Sequence, residues 1–204
     1  MPVERLISGF RRFRETYYEG QPDFYKTLVE KGQSPDVMVI ACSDSRVNPS
    51  IIAQARPGEL FIVRNVANLV PPYQPDGRRH GTSAALEFAV RDLGVKDIIV
   101  LGHSHCGGIR RLCDGAHAGA EREFIDDWIS IVDNARDTQE KGEEYLRSVE
   151  KNAVIASLNN LESFPWVSER VAAGDLKVHG WIFDLEAGYL LAYDGSGVWN
   201  NLSR

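Results

Sequence analysis

Cysteine is scarce in this chain, with three residues in 204. So low and odd a number excludes a disulfide-stapled scaffold and points to a reducing compartment, the cytoplasm, where thiols survive as metal ligands or nucleophiles. Excess positive charge is missing too. Lys and Arg total 23 against 29 Asp and Glu, a formal net charge of −6. That balance argues against nucleic acid as the main partner, because no basic field is available to displace counterions from phosphates. No apolar run approaches the ~20 residues that span a bilayer. Arginines and acids interrupt the first residues, Met1 to Tyr18, so a mature amphipathic helix is expected there rather than a signal peptide, and no membrane partner is expected. Repeats, low-complexity tracts and linkers are absent as well. What is present is ordinary for a globular domain, 43% hydrophobic and 25% charged, and long enough for one sizeable core.

Hydrophobic periodicity predicts the elements. Val3–Tyr17 places Val3, Leu6, Ile7, Phe10 and Phe13 on one helical face, and Asp23 opens a second helix that stops at Gly32. Val37–Ala41, Glu59–Arg64 and Ile98–Leu101 are apolar runs of strand length. A short helix starts at Asn48-Pro49, and Ser83–Leu93 is a helix capped by Thr82. Glu121–Asp137, Glu143–Leu161 and Ser163–Ala173 read as helices, and Leu176–Asp184 and Tyr189–Tyr193 as closing strands. Strands alternating with helices give an α/β fold. A mostly parallel central β-sheet is flanked by helices, in a single domain over residues 1–204 with an N-terminal helical arm over 1–32.

Two strands end in metal-ligand chemistry. Val37–Ala41 runs into Cys42-Ser43-Asp44-Ser45-Arg46, and Ile98–Leu101 into Gly102-His103-Ser104-His105-Cys106-Gly107-Gly108. In open α/β sheets, sites gather beyond the carboxyl ends of strands, so these distant segments can meet. Cys42, His103 and Cys106 would then offer two thiolates and an imidazole. That is a three-ligand set with which a catalytic zinc keeps its fourth position open. Two thiolates neutralise the dication, and a hydroxide on it would be a strong nucleophile. Asp44 and Arg46 share a side of their segment, so the guanidinium can hold the carboxylate ionised and oriented beside the metal, where it could accept the proton of metal-bound water or itself take the fourth metal position. His105 should point elsewhere, and Cys113 reads as a small buried hydrophobe. The spacings of other Cys/His chemistries are missing: there is no His-Glu-x-x-His, no Cys-x-x-Cys and no thiol-phosphatase loop. No G-x-G-x-x-G follows a strand, which disfavours a dinucleotide dehydrogenase.

These residues resemble the β-class carbonic anhydrases. Cys42-Ser43-Asp44-Ser45-Arg46, Arg64-Asn65-Val66-Ala67-Asn68 and Gly102-His103-x-x-Cys106-Gly107-Gly108 carry the resemblance, with weaker support from His179-Gly180-Trp181. It implies zinc held by Cys42, His103 and Cys106, with Asp44 and Arg46 as the dyad that gates and orients its hydroxide. The implied reaction is the reversible hydration of carbon dioxide to bicarbonate and a proton. It also implies a homodimer, with tetramers or larger assemblies, joined through the arm. Lys31-Gly32-Gln33-Ser34-Pro35 and Pro71-Pro72-Tyr73 resemble the plant-like branch. By that resemblance Gln33 donates to substrate across the dimer interface. Phe61, Val66 and Phe88 line the apolar pocket, Phe88 standing where tyrosine is common, and Gly107 offers a backbone N–H. The other branch binds an inhibitory bicarbonate with a tryptophan, an arginine and a tyrosine. Val39 and Phe183 stand at the first and third of those positions here, with only Arg64 kept, which implies that the switch is missing and that Asp44 stays with Arg46.

Two other functions fit the same ligands: hydrolysis of carbon disulfide or carbonyl sulfide, and a catalytically silent zinc protein. An intact Asp44–Arg46 pair argues against the second, since a structural zinc favours a closed ligand shell. His80, His105, His117 and Tyr73 are all conceivable proton shuttles.

Overall fold

A computed structural model describes residues 2–115 and 119–204. The chain divides into two compact units, one ending at Ser34 and the other starting at Pro35. The first unit holds two helices. α1 (Val3–Arg14) continues as a π-helical turn over Glu15–Glu19, and α2 (Pro22–Lys31) starts on a proline and ends at Gly32 with φ 73°. Within this unit Phe13, Tyr17, Tyr18, Phe24 and Tyr25 form an aromatic cluster, while Val3, Leu6, Ile7 and Phe10 are exposed. No helix among the described residues is long and apolar enough to cross a membrane.

The second unit is built on a six-stranded sheet. Its strands are β1 (Val37–Cys42), β2 (Leu60–Asn65), β3 (Asp97–His103), β4 (Lys177–Phe183), β5 (Leu190–Tyr193) and β6 (Trp199–Asn201). Their spatial order is β2-β1-β3-β4-β5-β6. The first four of that order run parallel, and β5 and β6 add antiparallel at one edge. From β1 the chain moves outward to β2, then crosses back over β1 to reach β3. The strand order therefore reverses between β1 and β3, and the crevice at their carboxyl ends is where such sheets bind ligands.

The side-chain alternation of β1 and β3 divides the core. Met38, Ile40, Ile98 and Val100 point into the main cluster. That cluster includes Leu86 and Val90 from α4 (Gly81–Glu87) and its π-helical extension, Val154, Leu158 and Leu161 from α7 (Glu143–Glu162), and Val167 from α8 (Pro165–Ala172). Val39, Ala41, Ile99 and Leu101 point the other way. Cys42 and Cys106 belong to a third cluster. There Val47, Ala67 and Leu69 meet residues of α5 (Gly107–Asp114), α6 (Ile125–Ser130) and α7. The short helix expected at Asn48-Pro49 is α3 (Pro49–Ile52), and the Asn48 side chain caps it by accepting from the Ser50 N–H at 3.1 Å.

Two expectations are revised, and one strand was not expected. Glu121–Asp137 is not one helix. It is α6 followed by a 3₁₀ turn at Asp133–Arg136, because Ile129, Val132 and Ala135 reach the core only if the chain tightens after Ser130. The helix containing Ser83 opens one residue before Thr82, so Thr82 is buried in the first turn and its hydroxyl oxygen accepts from the Asn65 side-chain amide rather than capping. Finally β6, only three residues long, carried too short a pattern to be read in advance.

Candidate metal centre

The two ligand-bearing segments meet at the strand reversal. Ala41 pairs with Leu101, so Cys42 ends β1 beside Gly102-His103 at the end of β3. One ligand atom each from Cys42, His103 and Cys106 lies within 4.8 Å of the others, and all three residues are buried. The two Sγ atoms are 4.0 Å apart. A tetrahedral zinc with bonds of about 2.3 Å would hold two sulfurs about 3.8 Å apart, so the pair is already spaced for the ion. His103 Nδ1 lies 2.9 Å from the Ser104 carbonyl, an acceptor only, so this nitrogen carries the proton. Nε2 is left as a lone-pair donor, fully buried and without a hydrogen-bond partner. An orphaned buried nitrogen facing two thiols is what a zinc ligand set requires.

Local structure explains how each ligand is aimed. Cys42 receives the Asp44 N–H at 3.4 Å, and the Ala67 N–H also lies on its sulfur. Ala67 and Asn68 adopt φ values of 65° and 51°. Asn65 holds this left-handed turn, its side chain accepting from the Leu69 N–H and donating to the Leu69 carbonyl, both at 2.8 Å. Cys106 precedes α5, whose Gly108 and Ile109 N–H groups face its sulfur. Gly108 is needed there, because a Cβ would come within 2.7 Å of Val66 Cγ1. A shared proton links the two thiols. The hydrogen bond from Cys106 draws the Cys42 thiol down to about 4, while the same bond and burial push Cys106 far up. Metal binding would release that proton. For His103, burial lowers proton affinity, but the Cys42 sulfur and the Ser104 carbonyl raise it on balance. Cys113 stands apart, half-buried, its thiol pushed up to about 11 chiefly by burial, as an inert packing residue would be.

Asp44 and Arg46 sit at the mouth. Arg46 donates through Nε to Oδ1 at 2.9 Å and through Nη2 to Oδ2 at 2.7 Å, and its backbone N–H also reaches Oδ1. The Arg46 hydrogen bonds hold the Asp44 carboxyl well below the usual carboxylate range. Asp44 Oδ2 is 4.0 Å from His103 Nε2, beside the ligand atoms but paired with arginine. Arg46 also donates to the carbonyl of His105, whose φ of 58° turns that carbonyl toward it.

The other expected site residues are distributed unevenly. Val66 adjoins the start of α5, and its carbonyl accepts from the Trp128 indole at 2.7 Å. Gly107 is exposed at the first position of α5. Phe61 and Phe88 pair with ring centroids 6.0 Å apart, but Phe61 packs on the main core cluster rather than with Cys42. Gln33 lies exposed in the first unit. Among the shuttle candidates, the His80 ring is held by Asp76 at 2.7 Å, the His105 ring by Glu186 at 3.0 Å, and Tyr73 stacks edge-on against Phe164. His117 lies outside the described residues.

The role of one motif residue, Arg64, and the residue Glu150 altogether escaped the sequence reading. Arg64 donates to the carbonyls of Cys42, Asp44 and Val47 at 2.9, 2.6 and 2.8 Å, so it fixes the segment that carries the dyad. Glu150, buried in α7, accepts the Cys106 N–H at 2.8 Å. Each acts across a long sequence separation that no local pattern records.

A buried Cys₂His set with a carboxylate–arginine pair at an open mouth defines a zinc enzyme. Comparison with known proteins agrees. The carbonic anhydrase family profile matches residues 37–190. The chain is 43% identical over 195 residues to "Beta carbonic anhydrase 3" of Arabidopsis thaliana, covering 91% of this chain and 74% of that one. Its structure superposes on that of the β-carbonic anhydrase CcaA with a TM-score of 0.91 at 34% identity, covering 99% and 92% of the two chains. A tetrameric β-carbonic anhydrase from Sordaria macrospora superposes with a TM-score of 0.82 at 28% identity, covering 97% and 98%. This chain belongs to the β-class carbonic anhydrases, the zinc enzymes that interconvert carbon dioxide and bicarbonate.

Proposed function

We propose that this chain hydrates carbon dioxide at the Cys42–His103–Cys106 centre, with Asp44 and Arg46 as its proton-handling pair and with the open site of the plant-like branch. The observation that carries the reading is the two-point Arg46–Asp44 pair, beside the ligands and yet held away from them. Zinc bound there supplies a Lewis acid that ionises water near neutral pH. The chain's own groups do the rest. Asp44, kept ionised by Arg46, can only accept hydrogen bonds, so it would orient the attacking water by accepting a hydrogen bond from it. Its low proton affinity makes it a poor store for a proton at neutral pH, so release to solvent passes through another group. Val66, beside the start of α5, supplies an apolar contact for a nonpolar substrate and Gly107 a backbone donor for a bicarbonate oxygen, while Phe61 and Phe88, packed away from Cys42, and Gln33, from across the dimer interface, enter only as the family resemblance implies.

The assembly that fits is a homodimer joined through the arm, extending to the tetrameric form of the Sordaria relative. Residues 1–32 serve the whole as a dimerising part of one catalytic domain. A reducing, cytoplasmic setting suits a site that needs two free thiolates 4.0 Å apart.

The test is stopped-flow carbon dioxide hydration from about pH 6.5 to 9 on protein of known zinc content. Turnover that survives below about pH 8 is expected of a site whose aspartate stays on arginine. Activity that appears only above about pH 8 would mean that Asp44 occupies the metal, against the open-site reading. Zinc-replete protein without turnover at any pH would move the assignment to sulfur analogues of the substrate or to a silent zinc protein.

A further inference from the structure

We infer that Glu150 is a positioning residue for the metal centre, its carboxylate fixing the backbone of Cys106 so that the thiolate is aimed at the ion. The inference rests on Cys42, His103 and Cys106 being the zinc ligands.

Glu150 is the one buried carboxylate among the described residues, 4% exposed. It interrupts the apolar face of α7, between Val149 and the Ala153-Val154 pair, which are all buried in the core. An ionisable group in such a place is costly unless something uses it. No cation among the described residues lies within ion-pair distance. Arg147, one turn earlier, is committed to Glu186 at 2.5 Å and lies 3.9 Å from Asp184. What Glu150 does is accept the Cys106 N–H through Oε1 at 2.8 Å.

That N–H is a decisive one. Cys106 stands immediately before α5, where the first N–H groups of the helix have no partner within it. Gly108 and Ile109 turn theirs to the Cys106 sulfur, and Glu150 takes the N–H of Cys106 itself. With backbone and sulfur both held, the side chain has no freedom to swing away from Cys42. Partners of this kind, behind a ligand rather than on the metal, set how well the ligand is oriented.

The depth of α7 makes the contact possible, and two strand glycines set that depth. A Cβ on Gly102 would lie 2.7 Å from Val154 Cγ2, and one on Gly180 would lie 2.9 Å from Leu158 Cδ1. Only glycine lets the helix settle this close to β3 and β4, which brings Glu150 down onto the turn after His103.

Three variants of the full-length protein separate hydrogen bond from charge. Glu150→Gln keeps an acceptor and drops the charge, Glu150→Asp keeps the charge and withdraws it, and Glu150→Met removes both. Zinc affinity is read by chelator competition, and ligand geometry by the thiolate-to-metal absorption bands of the cobalt(II)-substituted protein. Gln is expected to bind zinc within about threefold of the parent, while Asp and Met weaken it about 10- to 100-fold and alter the cobalt bands. Parental affinity and bands in the Met variant would overturn the inference. So would retention by Asp with loss by Gln, which would make charge rather than hydrogen bonding the agent. If Met does not fold, the contrast between Gln and Asp decides alone. A parent protein that fails to take up zinc would overturn the ligand assignment itself, a distinct failure.

Discussion

The loop after β1 and the loop after β3 each deliver cysteine chemistry to one point, but they are held in opposite ways. The segment Cys42–Val47 is tied down from outside. Arg64, itself exposed, grips three of its carbonyls, and the Arg46 side chain is 52% exposed and covers a half-buried Asp44 whose side chain is 16% exposed. The segment His103–Cys106 is tied down from inside, by the Ser104 carbonyl on His103 and by buried Glu150 on Cys106. The difference matches the work. Ligands need a rigid, dry setting so that the ion is held in one geometry. A group that handles protons needs water beside it and a partner that keeps it charged. One centre thus has a buried anchor and an open, proton-handling flank.

Substitutions on the open flank should therefore damage turnover without releasing the metal. The largest effect is expected from Asp44→Asn. It should lower kcat/KM about 10²- to 10³-fold while zinc stoichiometry, read by elemental analysis, stays at the parental level. Loss of zinc with the activity would erase the contrast between the two loops. Arg64→Ala should do less, about tenfold in kcat/KM with zinc retained, because the dyad survives but its segment loses three tethers and drifts from its working position. Unchanged turnover would show that the carbonyl grip is dispensable.

The smallest effect concerns pH and the metal-free protein. Arg46 holds the Asp44 carboxyl below its ordinary value, so the pair stabilises the fold fully above about pH 3.9 and loses that contribution as pH falls through the lowered folded value. The urea stability of the metal-free parent should exceed that of Asp44→Asn by a constant margin from about pH 7 to 4, and the margin should close below that. A margin that widens on acidification would contradict the pairing.

Much of this centre was legible beforehand, for a physical reason. Cys42 and His103 end their strands and Cys106 follows three residues after β3, and apolar strand runs are read from their immediate neighbours. Asp44 and Arg46 are two residues apart, so their pairing is local as well. Arg64 was visible as a motif residue, but its use was not. Whether it faces an anion or three carbonyls depends on how the Cys42–Val47 segment folds back over β2. Glu150 looked like one more acid on a helix, since its burial follows from the depth of α7 over Gly102 and Gly180. The broken helix after Glu121 has the same origin, because core contacts there outweigh helical periodicity.

By itself the sequence determined which atoms can bind the metal, which strand ends present them and which charge pair accompanies them. These depend on residue identity and on spacing over a few positions, where sterics and hydrogen bonding act locally. The tertiary structure alone decided the strand order that brings β1 and β3 together, the grip of Arg64 and the reach of Glu150. Each of these arises from packing between segments far apart in the chain, and packing is settled only when the whole core closes.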